Sequence, residues 1–251
     1  MRTFSVEARD LPDAWFQCVD LCYESGRDYE ITEGSYVGQK RRELDYVTVH
    51  ITHPQMRPLL PDVPAHYNIP NPVEDDYVER YLPYLMTAEK KPGEQYTYGE
   101  RLFRKLFCGS SDKVTGLATD MPSQVDEVIA KFRRGFANNQ ATMTVARPSD
   151  VHLDDPPCLR QIDCRIFPAG VTNRDTAPAD FSSDANKLHF MIYFRSWDLW
   201  AGFPANLAAL AHLQEYMAGE IGVEPGEFIC ASKGLHLYDH FWELARVRLG
   251  A

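Results

Sequence analysis

No stretch of this 251-residue chain approaches the roughly 18–20 uninterrupted apolar residues of a membrane-spanning helix, so no membrane association is expected. The opening residues, Met1-Arg2-Thr3-Phe4-Ser5, hold no apolar core of the secretory kind, and a cytoplasmic location is expected. Basic charge is also scarce. Lys and Arg number 26 against 36 Asp and Glu, a net charge of −10. That balance argues against a surface that tracks polymeric nucleic acid. It does not exclude a small anionic ligand, because a few arginines in a cleft dominate the field there. The six cysteines show no CxxC spacing and no His-rich partner, so no metal site is expected, and a chain of this length needs no disulfide staples. Repeats and low-complexity tracts are absent.

What is present suits a packed core: 44% hydrophobic and 12% aromatic residues. Leu11 to Ser25 reads as an amphipathic helix with Trp15, Cys18, Val19 and Cys22 on one face. A glycine-containing basic loop from Gly34 to Arg42 then leads into a strand from Asp45 to Thr52, and a proline-rich crossing follows up to Pro72. Helices are expected over about Glu74 to Thr87, Tyr98 to Phe107 and Ser123 to Phe136. β-rich runs follow at Ala141–Arg147, Leu159–Phe167 and Leu188–Phe194, then a long helix from about Asp198 to Ile221 and one strand from Phe228 through Tyr238. Strands interleaved with helices, and no linker, predict a single α+β domain over 1–251, a mixed sheet backed by helices.

Chemistry concentrates in the second half. Pro156 and Pro157 suppress helix before Cys158, which puts its thiol at the start of a strand, where it can reach a ligand as a nucleophile. Arg195 and Ser196 end a strand just before a helix whose N-terminus favours anions, and Ser196 or Asp198 is suited to cap that helix. Arg195 suits a phosphate and would favour a nearby thiolate. Asn206 offers a donor and an acceptor, the complement of the O4/N3–H edge of uracil, and its amide can turn to match cytosine instead. His236 and Tyr238 alternate on a strand, share a face and can together hold a sugar hydroxyl.

In order, Pro156-Pro157-Cys158, Arg195-Ser196-Trp197-Asp198, Gly202-Phe203-Pro204-Ala205-Asn206, Gly222 to Phe228 and Gly234-Leu235-His236-Leu237-Tyr238 resemble the nucleotide-binding half of thymidylate synthases. The resemblance implies that Cys158 attacks C6 of a pyrimidine and Arg195 binds its phosphate. Asp198 and Gly202 would meet a reduced folate, Asn206 the base, and His236 with Tyr238 the sugar. More thinly, Glu79 matches the family's catalytic glutamate, Tyr98-Gly99 its Tyr-Gly motif, and Arg41 and Arg42 its phosphate-binding loop. The family's fold, its homodimer and its co-substrate 5,10-methylene-tetrahydrofolate are implied too, with a pyrimidine nucleoside monophosphate as partner.

Departures stand beside these matches. Gln140-Ala141 replaces a tandem arginine pair, for which Arg133, Arg134 or Arg147 would have to substitute. Leu159 replaces a histidine, and Phe194 a glutamine. They suit a divergent branch, archaeal-type synthases or pyrimidine hydroxymethylases. Three readings follow: a synthase acting on dUMP, a hydroxymethylase acting on dCMP, CMP or dUMP, and a catalytically silent nucleotide binder.

Overall fold

The computed structural model describes residues 1–33, 36–74, 76–111, 118–167 and 186–249. Along the chain these form β1 (Phe4–Ala8), α1 (Leu11–Ser25), β2 (Arg27–Glu30), β3 (Lys40–Leu44), β4 (Val47–Ile51), α2 (Tyr77–Met86) and α3 (Tyr98–Phe103). Next come β5 (Leu106–Ser111), β6 (Ala118–Met121), α4 (Gln124–Arg134), β7 (Thr142–Thr144), β8 (Leu159–Ile166) and β9 (Lys187–Phe194). The last are β10 (Trp197–Asp198), α5 (Gly202–Ile221), β11 (Glu224–Ser232), β12 (Leu235–Tyr238) and α6 (Trp242–Leu249).

A six-stranded mixed sheet runs β1-β4-β11-β9-β8-β7. Its alternate residues, such as Val49, Phe228, Cys230, Phe190, Ile192 and Ile162, are buried, and α1, α4 and α5 pack onto it. The residues between them face outward, as period-two alternation requires. A four-stranded sheet, β10-β12-β3-β2, lies beyond its end. The chain passes straight from the large sheet into the small one at β9–β10 and again at β11–β12, so the ends of both sheets meet at one place.

Three differences from the expected elements have clear causes. Lys40–Leu44 is a strand rather than a loop, because it pairs on both sides, with β12 and β2; Gly34 and Ser35 of that loop lie outside the described residues. The expected strand from Phe228 through Tyr238 is two strands in different sheets. The Lys233-Gly234 turn divides them, and there the Gly234 N–H is held by the Ser232 hydroxyl at 3.2 Å. The helix from Tyr98 stops at Phe103, and the chain re-forms as β5, paired with β6. Pattern reading also misses β1 and α6, which are short elements made regular by tertiary pairing and packing.

Candidate active site

Cys158 lies where the two sheets meet. Its carbonyl accepts the Arg195 N–H at 2.9 Å, which ties the start of β8 to the end of β9. The approach to Cys158 is held from below by a buried ion pair. Arg101 on α3 reaches Asp150 at 2.9 Å, and Asp150 in turn accepts the Arg147 N–H at 2.7 Å. The Tyr98 hydroxyl accepts the Leu159 N–H at 3.3 Å, directly after the cysteine. Gly99 is required beside it, because a Cβ there would collide with the Thr87 carbonyl. Burial pushes the Cys158 thiol above its ordinary pKa; Arg195 opposes the rise, while Asp155 and Asp198 add to it. The resting sulfur is therefore a thiol, and a ligand that neutralises or displaces Asp155 favours the thiolate.

Arg195 is half-buried, with its Nε on the Pro156 carbonyl at 3.1 Å and its Nη2 on Asp155 at 3.0 Å. Ser196 occupies the turn between β9 and β10 beside it, half-buried. Asp198 ends β10 and does not begin the expected helix, which starts at Gly202; its carboxylate reaches ahead to accept from the Trp200 N–H (3.1 Å) and from the Gly202 N–H (2.9 Å), a donor that the first turn of α5 leaves open. Burial nevertheless holds the Asp198 pKa above the usual carboxylate value. A Cβ at Gly202 would stand 3.2 Å from that of Asp198, so glycine permits this close approach.

The small sheet forms a floor. Strand register puts Asp198 beside His236 and His236 beside Glu43, and in the next row Tyr238 beside Arg41. The His236 Nδ1–H donates to the Gly234 carbonyl at 2.9 Å, leaving Nε2 as a buried acceptor without a partner. Burial holds this imidazole's pKa down at about 4, and Arg41 and Arg195 add to that; it is neutral at pH 7. Arg41 pairs with Glu43 at 2.9 Å. Arg42 points the other way, as its neighbour on a strand must. It bonds Asp28 (2.7 Å) and the Tyr23 carbonyl (3.0 Å) and lies over the Trp242 ring, so it does not join the floor.

The Asn206 carboxamide is held at both ends: its Oδ1 accepts from the Trp197 indole N–H at 3.0 Å and its Nδ2 donates to the Tyr81 hydroxyl at 2.8 Å. An indole can only donate, so the free flip expected of this amide does not occur. Glu79 is not brought to the cluster. On α2 it lies about 160° around from Tyr81, exposed, in a separate depression with Arg57, Leu59, Asn71 and His212. The α2 residues on the cluster side are Tyr81 and Tyr84. With Tyr96 and Tyr98 they form a chain of ring contacts, 5.4, 5.2 and 6.3 Å between centroids, and burial raises the pKa of each phenol, with Cys158 among the contributors. Of this wall sequence reasoning singled out Tyr98 and missed Tyr81, Tyr84 and Tyr96, although the Tyr77, Tyr81, Tyr84 spacing is a helical stripe. The arginines considered as replacements for the missing pair are engaged elsewhere: Arg133 with Glu220, Arg134 with Glu127 and Arg147 near Glu100.

A cavity of about 540 Å³ opens beside this wall, lined by Tyr77, Tyr81 and Tyr84, with Arg80, Lys90 and Lys91 at its rim. No helix among the described residues is long and apolar enough to cross a membrane.

A family model described as thymidylate synthase matches residues 80–250. A Methanosarcina acetivorans protein provisionally named as a thymidylate synthase is 28% identical over 240 residues, covering 95% of this chain and 91% of its own. Similarly named proteins of Methanothermobacter thermautotrophicus (26% identical, 94% of each chain) and Methanopyrus kandleri (24%, 95% of this chain and 94% of its own) align over nearly their whole length. The chain belongs to the thymidylate synthase family, whose members are methyltransferase-type enzymes.

Proposed function

With family membership as the premise, we propose that this protein transfers a one-carbon unit from 5,10-methylene-tetrahydrofolate to C5 of dUMP, through a covalent bond between Cys158 and C6, giving dTMP. The observation that carries this reading is the convergence on one cleft of a nucleophile (Cys158), two cations (Arg195, Arg41), an oriented amide (Asn206) and an unsatisfied acceptor beside a phenol (His236, Tyr238).

Arg195 and Arg41 take the 5'-phosphate, with Ser196 beside them. Of the groups around the Cys158 sulfur, Arg195 favours the thiolate, and its guanidinium stays beside the sulfur while it binds the phosphate. His236 Nε2 accepts from the sugar hydroxyl, and Tyr238 shares that hydroxyl. The Cys158 sulfur bonds to C6, the C5–C6 π electrons move to C5, and Asn206 stabilises the charge that develops toward O4. Tyr98 relays, through water, the proton lost from C5. The aromatic cavity beside Tyr81 and Tyr84 fits a flat pterin and its aryl arm, and Lys90 and Lys91 suit the carboxylates of its tail. Asp198 and Gly202 lie at the pterin end. When bound, the folate supplies the methylene carbon and, in a synthase, the hydride.

A hydroxymethylase ends the same sequence by adding water. The phenols of Tyr81, Tyr84, Tyr96 and Tyr98 around the thiol, able to order a water, are the observation in its favour. Incubation with dUMP, dCMP, UMP or CMP and methylene-tetrahydrofolate, with products identified by mass, decides between them, since the two products differ by one oxygen. 5-Fluoro-dUMP with the folate should leave an adduct on the Cys158 peptide. An adduct on Cys164 or Cys230 overturns the assignment.

We also propose a homodimer that covers the outward face of the six-stranded sheet, where Met191 and Ile229 are cross-strand neighbours and Ile229 is 45% exposed. Light scattering on the eluted protein tests it; a monomer at working concentration overturns it.

A further inference from the structure

Asn206 is gripped by two groups of different hydrogen-bonding character. The Trp197 indole is itself immobilised, stacked on Phe194 at 3.9 Å and tilted against Phe203 at 4.5 Å, and its N–H is donor-only. A flipped Asn206 would set its NH2 against that N–H and leave a donor unpaired, so Oδ1 must face Trp197 and Nδ2 must face α2. The Tyr81 hydroxyl then accepts from Nδ2 at 2.8 Å. Because a phenol both accepts and donates, Tyr81 alone would tolerate either orientation. Trp197 sets the sense, and Tyr81, its oxygen occupied, turns its own proton elsewhere.

From this we infer that Tyr81 is a positioning residue that makes base recognition one-sided: with Trp197 it locks the Asn206 amide so that donors face the C4 substituent of the pyrimidine. Beyond the bond between them, Nδ2 keeps a second N–H and the Tyr81 oxygen its own O–H, two donors on heavy atoms 2.8 Å apart. A carbonyl oxygen with two lone pairs accepts from both, whereas an amino group at C4 would meet donors with a donor. Uracil is therefore selected over cytosine by a pair of residues outside the expected reading amide. This rests on the nucleotide reading given above, but it is separable from it.

Titration calorimetry of the full-length protein with dUMP and with dCMP reads the effect without turnover. The wild type should prefer dUMP. Tyr81→Phe should reduce the dUMP:dCMP affinity ratio on the order of tenfold, mainly through weaker dUMP binding, since one donor to O4 is lost and the amide loses its partner. Trp197→Phe keeps an aromatic stack but frees Oδ1, and should shrink the ratio as well, by letting the amide turn toward cytosine. Tyr216→Phe, which removes an exposed hydroxyl from the same helix that carries Asn206, should leave the ratio unchanged. A merely structural role for Tyr81 would lower both affinities together and keep their ratio. A ratio unmoved in both Tyr81→Phe and Trp197→Phe, with dUMP still bound, overturns the lock alone. A wild type that prefers dCMP overturns the assignment of donors to O4. A wild type that binds neither nucleotide removes the functional reading, and the lock with it.

Discussion

On the floor of the cleft, the side chains that converge are those the motifs single out: Cys158, Arg195, Asp198, Asn206, His236 and Tyr238. Beside these, two elements each turn one expected residue away from the cleft. Strand β3 presents Arg41 and turns Arg42 to Asp28 and Trp242; helix α2 presents Tyr81 and turns Glu79 outward. Apart from Asn206 on α5, the floor is built from short strands locked into two sheets by long-range pairing, so position in a motif and direction in space coincide. The wall is the ten-residue helix α2, and β3 lies inside the small sheet; a shift of one residue in the strand, or two in the helix, reverses the face.

The largest effect tests the floor's centre. Cys158→Ala should abolish turnover and leave nucleotide affinity nearly unchanged, because alanine has no nucleophile to bond C6. Single-turnover mass analysis that still finds product would break the comparison outright, by moving the chemistry off the floor.

Next in size is His236, the buried neutral base of the floor. In the unfolded chain it takes up its proton near pH 6.5; in the folded protein it does so only at about 4. Between those values the unfolded state binds more protons, so stability contributed by the neutral ring is complete above about pH 6.5 and is lost as pH falls toward 4, by about 3 kcal/mol. His236→Gln has no such proton to take up. The stability gap between wild type and variant, from urea titrations at pH 7 and pH 4, should therefore shift by that amount against the wild type at the acid end. A gap independent of pH would mean that the ring is hydrated, and the floor more open than its packing indicates.

How much of this was legible follows the same division. The helix from Leu11 to Ser25 and the strands around Ile162 and Ile192 were readable because a single buried face imposes a period. His236 and Tyr238 were readable as a pair for the same reason. The direction of Glu79 was not, because α2 is apolar on one side and aromatic on another, and only packing against α5 decides which side faces inward. Nor was the Arg101–Asp150 pair under the approach to Cys158, since its two members are separated by nearly fifty residues and joined only in the folded chain.

Arg41 and Arg42 sharpen the contrast within one strand. Arg41→Ala should weaken dUMP binding by about 1.5–3 kcal/mol, roughly 10- to 150-fold, the loss of a charge-assisted phosphate contact. Arg42→Ala should leave dUMP affinity unchanged and lower the melting temperature, because it removes the Asp28 pair, the bond to the Tyr23 carbonyl and the stack on Trp242. Reversal of the two outcomes in calorimetry and melting curves would show that β3 is shifted by one residue in solution.

The smallest expected effect concerns Glu79, and it bears most directly on the wall. The carboxylate is exposed and lies across the helix from Tyr81, in a depression shared with Arg57 and His212 rather than with Cys158. Glu79→Gln keeps its size and removes its charge. A substitution at such a surface position moves stability within about 0.5 kcal/mol, and a comparable change in kcat/KM is roughly twofold. Family resemblance alone, which matches Glu79 to a catalytic glutamate, leads to the opposite expectation of a large loss in kcat. Steady-state kinetics on this one variant therefore separates the two arguments. A loss of kcat far beyond twofold would mean that α2 turns by about half a revolution when ligand binds. That would bring Glu79 to the thiol and carry Tyr81 away from Asn206. A rate close to wild type means that the chain runs its chemistry with phenols, not a carboxylate, on this side of the cleft.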